Sequence, residues 1–109
     1  MASFSIKPKR KIGEIEISEE FINIYKKILL SGAKKYFGEW VEFNSNTKIV
    51  ETIILGELRN IVTYGHPYCP CRPEKIRDNI CPCVPAKKEL ERDGICHCRL
   101  FVNPEKYSR

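Results

Sequence analysis

The chain has 109 residues, 42% of them hydrophobic and 30% charged, with a formal net charge of +5. That length fits one domain, which should bury roughly two thirds of the surface its unfolded chain exposes, and the composition is that of an ordinary soluble globular protein rather than a disordered or membrane one. No apolar run approaches the ~20 residues of a membrane span, so no membrane association is expected, while the positive charge favours acidic partners, either nucleic acid or acidic electron carriers.

The N-terminal stretch MASFSIKPKRKIGEIEI has basic residues but neither a continuous apolar run nor a small-residue cleavage pattern. A secretory signal is therefore not expected, and the reducing cytoplasm is the expected compartment. Ile12, Ile15 and Ile17 alternate only in part, which reads as an N-terminal arm or short edge strand over residues 1–17. From Ser18 onward Phe21, Ile22, Tyr25, Ile28, Leu29, Ala33, Tyr36 and Phe37 recur at three- and four-residue steps, the stripe of an amphipathic helix. Ser18 is its expected N-cap, Glu19 and Glu20 suit its positive end, and Gly38 offers a stop.

Asn44-Ser45-Asn46 interrupts the rhythm, and a second stripe runs through Ile49, Val50, Ile53, Ile54, Leu58, Ile61 and Val62 to Gly65 and Pro67. This predicts a second helix, entered through an Asn or Ser cap, with both stripes serving as core and Trp40 and Phe43 joining them. Beyond Pro67 the chain becomes short, proline-punctuated segments. One or two helical turns are expected over 73–80, and a further helix has Pro85 at its first position and Gly94 at its end. The expected fold is mostly α, a single domain over 1–109 with an arm (1–17), a helical part (18–65) and a loop-rich part (66–102) wrapped around something.

All six cysteines lie in that last part, as Cys69-Pro70-Cys71, Cys81-Pro82-Cys83 and Cys96-His97-Cys98, with nine and twelve residues between the pairs. Three readings compete. A disulfide framework belongs to secreted chains. A structural zinc site usually takes Cys-x-x-Cys knuckles, a poor match to pairs one residue apart; it would make the chain a non-catalytic module touching protein or nucleic acid, although its lysines are dispersed. An iron-sulfur cluster takes four thiolates and leaves two cysteines over, free to form a disulfide beside it. Proline biases the preceding cysteine toward an extended shape, so the two thiols of a pair tend to point apart.

The ordered motifs Cys-Pro-Cys-Arg at 69–72, Cys-Pro-Cys-Val-Pro at 81–85 and Cys-His-Cys-X-Leu-Phe at 96–101 resemble the catalytic chain of ferredoxin:thioredoxin reductase. The resemblance is strong over 65–102 and extends back to about Asn44. It implies that Cys69, Cys81, Cys83 and Cys96 hold a 4Fe-4S cluster and that Cys71 and Cys98 form the redox-active disulfide. Cys71 would be the exposed nucleophile, and Cys98 would lie against the cluster. By the same resemblance His97 serves proton chemistry at the disulfide, whereas His66 has no counterpart and reads as structural. Ferredoxin would be the electron donor and thioredoxin or a thioredoxin-like protein the substrate, so nucleic acid is not an expected partner. A variable-chain partner is known for the plant-type enzyme, whose spacing between motifs differs from this one. A lowered Cys71 thiol pKa, set by Arg72 and His97, would complete the site.

Overall fold

The computed structural model describes residues 9–12 and 15–107. Strands β1 (Lys9–Ile12) and β2 (Ile15–Ser18) pair antiparallel, Lys9 opposite Ser18 and Ile12 opposite Ile15, so the expected arm is a hairpin where it is described. Residues 1–8, 13 and 14 of that arm lie outside the described residues.

Helix α1 (Glu19–Tyr36) starts where its cap dictates: Ser18 Oγ accepts from the Phe21 N–H at 3.1 Å, and Glu19 and Glu20 occupy the first turn. Ile22, Leu29 and Ala33 are buried on its inner face. Phe21 and Ile28, expected in the core, are instead 48% and 66% exposed. Each precedes a buried residue by one position, roughly 100° round the helix, which carries it off the contact face. Tyr36 is also exposed. The helix ends at Tyr36, two residues before the expected stop at Gly38, and Lys34 Nζ donates to the Glu39 and Val41 carbonyls at 2.7 and 3.1 Å to shape the loop that follows.

Strand β3 (Glu42–Phe43) leads into helix α2 (Thr47–Tyr64). Asn46 Oδ1 accepts from the Lys48 and Ile49 N–H groups, and Gly65 closes the helix at φ 91°, a left-handed cap that suits glycine. Val50, Ile53, Ile54 and Leu58 pack inward, with Glu57 and Asn60 buried among them, while Val62 is exposed. In place of the helical turns expected over 73–80 there is one 3-10 turn, Arg77–Asn79. Asn79 Nδ2 donates to the Glu74 carbonyl at 3.0 Å and holds the chain in a bend that a longer helix would not allow. Helix α3 (Val84–Asp93) begins at Val84, one residue before the expected start, so that Pro85 is its second residue, and it ends on Gly94 at φ 80°, as expected.

Strand β4 (Phe101–Val102) pairs antiparallel with β3, Phe43 opposite Phe101. A two-residue ladder is too short to leave a period-two pattern in sequence. Its Phe43 and Phe101 rings stack at 5.6 Å, and Phe37 meets Phe101 edge-on at 5.7 Å. The apolar residues of α1 and α2 therefore run without a break into Cys69, Cys81, Cys83, Cys96 and Cys98 as one core. Trp40 and Phe43 pack against it, as expected. Among the described residues no helix is long and apolar enough to cross a membrane.

Candidate functional site

The first cysteine pair is hung from the end of α2. Asn60 Nδ2 donates to the Tyr68 carbonyl at 2.7 Å, and the Cys69 N–H donates to the Asn79 carbonyl at 2.8 Å. Pro70 lies on the helix at Gly56, where a Cβ would come within 2.6 Å of the proline Cγ. The absence of a side chain in mid-helix costs about 1 kcal/mol of helix propensity and allows this approach. In the second pair the Cys81 N–H bonds the Pro67 carbonyl at 3.0 Å, the Cys81–Pro82 peptide is cis, and Cys83 is the N-cap of α3. The third pair sits on a tight turn in which the Arg99 N–H bonds the Cys96 carbonyl at 2.8 Å. Arg99 takes φ 67° there, and Asn44 Nδ2 donates to its carbonyl at 2.9 Å.

Five of the six cysteines are buried, and Cys71 alone of the six is exposed. The buried five line one cavity together with Glu57, Arg72 and Phe101. Hydrogen bonds donated by its S–H to Cys81, Cys83 and Cys98, and then burial, hold the Cys69 thiol far above its ordinary range. Its partners move the other way: the bond with Cys69 pulls Cys83 down to about 6, helped by Arg72, and pulls Cys98 down to about 6, helped by Cys71. At Cys81 the Cys69 bond lowers the pKa, but burial and Glu57 outweigh it and push the thiol up to about 12. Burial raises Cys96.

Cys71 departs from the sequence expectation. Partial burial of its sulfur, followed by the bond with Cys98, pushes it up to about 12, with Arg72 a minor opposing influence. The reason lies in where Arg72 points. Its Nε donates to Cys83 Sγ at 3.3 Å, and its Nη2 pairs with Glu89 Oε1 at 2.8 Å. His97 is exposed and reaches this network by its backbone, its N–H donating to the same Glu89 oxygen at 2.9 Å. His66 is likewise exposed, with its ring 5.9 Å from that of Tyr68.

Sequence reasoning missed Glu57. It is fully buried, Oε1 accepts from the Tyr25 hydroxyl at 2.7 Å, and Oε2 has no hydrogen-bond partner among the described residues. A carboxylate oxygen of Glu57 and the sulfurs of Cys69 and Cys81 lie within 4.8 Å of one another, a set able to hold a metal ion. The signal was available, because Glu57 falls on the apolar stripe, three residues after Ile54 and four after Ile53. Burial raises its carboxyl to about 8, and the bonds from Cys81 and Tyr25 only partly offset this.

The family model of the ferredoxin thioredoxin reductase catalytic beta chain matches residues 15–109. The chain belongs to that family. Among its relatives, a catalytic chain of this reductase from Synechocystis sp. is 33% identical over 70 residues, covering 58% of this chain and 56% of its own length. A chloroplastic one from Spinacia oleracea is 29% identical over 101 residues, covering 86% of this chain and 64% of its own, and one from Guillardia theta is 31% identical over 86 residues, covering 67% and 80%. The chain thus spans 56% and 64% of the first two of these relatives. In this family member the donor set fits a soft metal centre. Buried thiols ionise poorly without a compensating cation, Arg72 is the one guanidinium lining their cavity among the described residues, and a bound metal would supply the missing positive charge.

Proposed function

We propose that the chain is a disulfide reductase that takes electrons from ferredoxin and passes them to the disulfide of thioredoxin or a thioredoxin-like protein. In this reading Cys69, Cys81, Cys83 and Cys96 hold a 4Fe-4S cluster, and Cys71 and Cys98 are the redox-active pair. The observation that carries it is the contrast within that pair: Cys71 is exposed, while its partner Cys98 is buried and in contact with both Cys71 and Cys69. A sulfur that must reach another protein has to be accessible, and a sulfur that resolves the resulting bond has to lie next to it. Bound among these cysteines, the cluster supplies single electrons.

The thiol chemistry belongs to the chain's own residues. The Cys71 thiolate attacks one sulfur of the target disulfide; a Cys71–target S–S bond forms as the target's own breaks, and the second target sulfur leaves as thiolate. Cys98 then attacks the Cys71 sulfur, the Cys71–Cys98 bond closes, and the first target sulfur is released. Two protons complete the target's thiols, and two electrons with two protons restore Cys71 and Cys98. His97, exposed and next to Cys98 in the chain, is suited to carry protons at this step. A variable-chain partner would find an apolar face on α1, where Phe21, Ile24 and Ile28 are 48, 55 and 66% exposed. The reaction suits a reducing compartment such as the cytoplasm.

The test is metal and acid-labile sulfide analysis of anaerobically purified protein, followed by two variants. Iron and sulfide near four each are expected. Cys71→Ser should retain them and lose disulfide reduction, whereas Cys69→Ser should lose the metal. Zinc without sulfide, or an active Cys71→Ser protein, would sink the reading.

A further inference from the structure

Arg59 stands exposed on α2 and makes no ion pair or hydrogen bond among the described residues. It shares a helix face with Leu55 and Gly56, four and three positions earlier. Across from that face Pro70 and Lys75 complete a groove of about 490 Å³ that no acidic side chain among the described residues lines. Lys75 is held in place there, its Nζ 3.3 Å from the Pro73 carbonyl and 5.2 Å from the Tyr64 ring centroid. Because Gly56 has no side chain, Pro70 seats directly on the helix and forms one wall. The residue after that wall is Cys71, the exposed cysteine.

We propose that this groove receives an acidic, extended stretch of the substrate protein next to its disulfide, with Arg59 and Lys75 pairing its carboxylates so that the disulfide is presented to Cys71. The assignment rests on the disulfide-reductase reading and deepens it. Position favours the substrate over the electron donor. A disulfide has to come within bonding reach of the Cys71 sulfur, and the groove is built partly from the loop that carries it. An electron donor gains nothing from touching that loop. Charge decides the chemistry of the occupant: two cations without a counter-charge in the groove attract carboxylates, favouring encounter and register. The exchange is the one already written, with the Cys71 thiolate displacing one substrate sulfur, which leaves as thiolate.

The probe is a pair of synthetic peptides, each closed by one internal disulfide, one flanked by three glutamates and the other by three lysines. The holoprotein is reduced with a viologen, which removes any protein donor from the assay. The glutamate peptide should be reduced with a kcat/KM about tenfold above that of the lysine peptide at low salt, as expected for two exposed charge pairs, and the gap should close as salt rises. In an Arg59→Glu/Lys75→Glu protein the preference should vanish or invert, mainly through KM, while the charge-matched Lys27→Glu/Lys35→Glu protein, with both reversals on α1, keeps it. Iron content and circular dichroism equal to the parent's establish that the double variant is folded. As a second readout, Cys98→Ser should trap the mixed disulfide on Cys71 faster with the glutamate peptide. Equal rates for both peptides, unaltered by the double variant, overturn the groove assignment and leave the reductase intact. A double variant that slows electron delivery from ferredoxin but keeps the peptide preference also overturns it, and gives the groove to the donor. Failure to reduce or trap either peptide overturns the reductase reading itself.

Discussion

Arg72 and Glu89 meet at 2.8 Å, and through that contact all three cysteine motifs are tied together. Arg72 follows the first motif and donates to Cys83 of the second, while the Glu89 oxygen it pairs with also accepts from the His97 N–H in the third. Both side chains are mostly shielded, at 16% and 19% exposure, so the pair is worth more than a surface salt bridge. Glu89→Ala should therefore destabilise the protein by about 2 kcal/mol, because it strands a guanidinium and a backbone N–H at once. Glu89→Gln, which keeps an acceptor, should recover part of that loss. Denaturant midpoints of the two variants test this, and an unchanged midpoint in Glu89→Ala would show that the clasp is dispensable.

Gly56 sets the position of the Cys69-Pro70-Cys71 loop. Alanine there gains about 1 kcal/mol of helix propensity, but its Cβ would stand 2.6 Å from Pro70 Cγ and 3.0 Å from Pro70 Cβ. A proline ring has no rotamer with which to retreat, so the loop backbone has to move. Gly56→Ala should thus be net destabilising by roughly 1–2 kcal/mol, within the usual cost of overpacking. It should also change the rate at which Cys71 is alkylated while leaving helix content alone. An alkylation rate equal to the parent's would show that the loop is placed by something other than this contact.

What the sequence made legible was local. Ser18, Asn46, Gly65, Pro85 and Gly94 mark helix ends through bonds and dihedrals that span a few residues, and each sits where its chemistry put it. The core stripes were legible as stripes but not in their width, and so Phe21 and Ile28 came out on the surface. The three motifs pointed to a gathered set of cysteines, and five of them do converge in one core. The direction of the Cys71 shift was not legible, because Arg72 turns from its sequence neighbour to Cys83 and Glu89, eleven and seventeen positions away. The seating of Pro70 on Gly56, the β3–β4 ladder and the bond from Asn44 to Arg99 likewise depend on segments that only the folded chain brings together.

Asn44 and Arg99 give the third motif its turn. Asn44 is buried; its Nδ2 donates to the Arg99 carbonyl at 2.9 Å, its Oδ1 accepts from the Asn46 N–H at 2.9 Å, and its own N–H reaches the Leu100 carbonyl at 2.8 Å. Asn44→Ala removes both side-chain bonds and should cost on the order of 2–3 kcal/mol. Asn44→Asp keeps the acceptor and loses the donor, which isolates the bond to Arg99. Conversely, Arg99 holds a left-handed φ of 67° that glycine adopts freely, so Arg99→Gly should stabilise the turn by up to about 1 kcal/mol. Urea midpoints would show opposite signs for Asn44→Ala and Arg99→Gly; the same sign would refute this account of the turn.

Glu57 makes the cluster-free chain sensitive to pH. Burial, against partial relief from the Cys81 and Tyr25 bonds, holds its carboxyl near about 8 in the folded chain, above its ordinary 4.5. The folded chain binds that proton more tightly than the unfolded one, so this contribution to stability is full below about pH 4.5 and is lost as pH rises through about 8. Several cysteines titrate in the same window, and the clean quantity is the difference in unfolding free energy between the parent and Glu57→Gln, each with its cysteines reduced. That difference should shift against the parent between pH 5 and pH 8 and level off above it. Tyr25→Phe removes one of the bonds that lower the pKa, so its window should move to higher pH. A parent-minus-Gln difference that stays flat from pH 5 to pH 9 would mean that Glu57 is ionised throughout, and that its orphaned oxygen is satisfied by some other group.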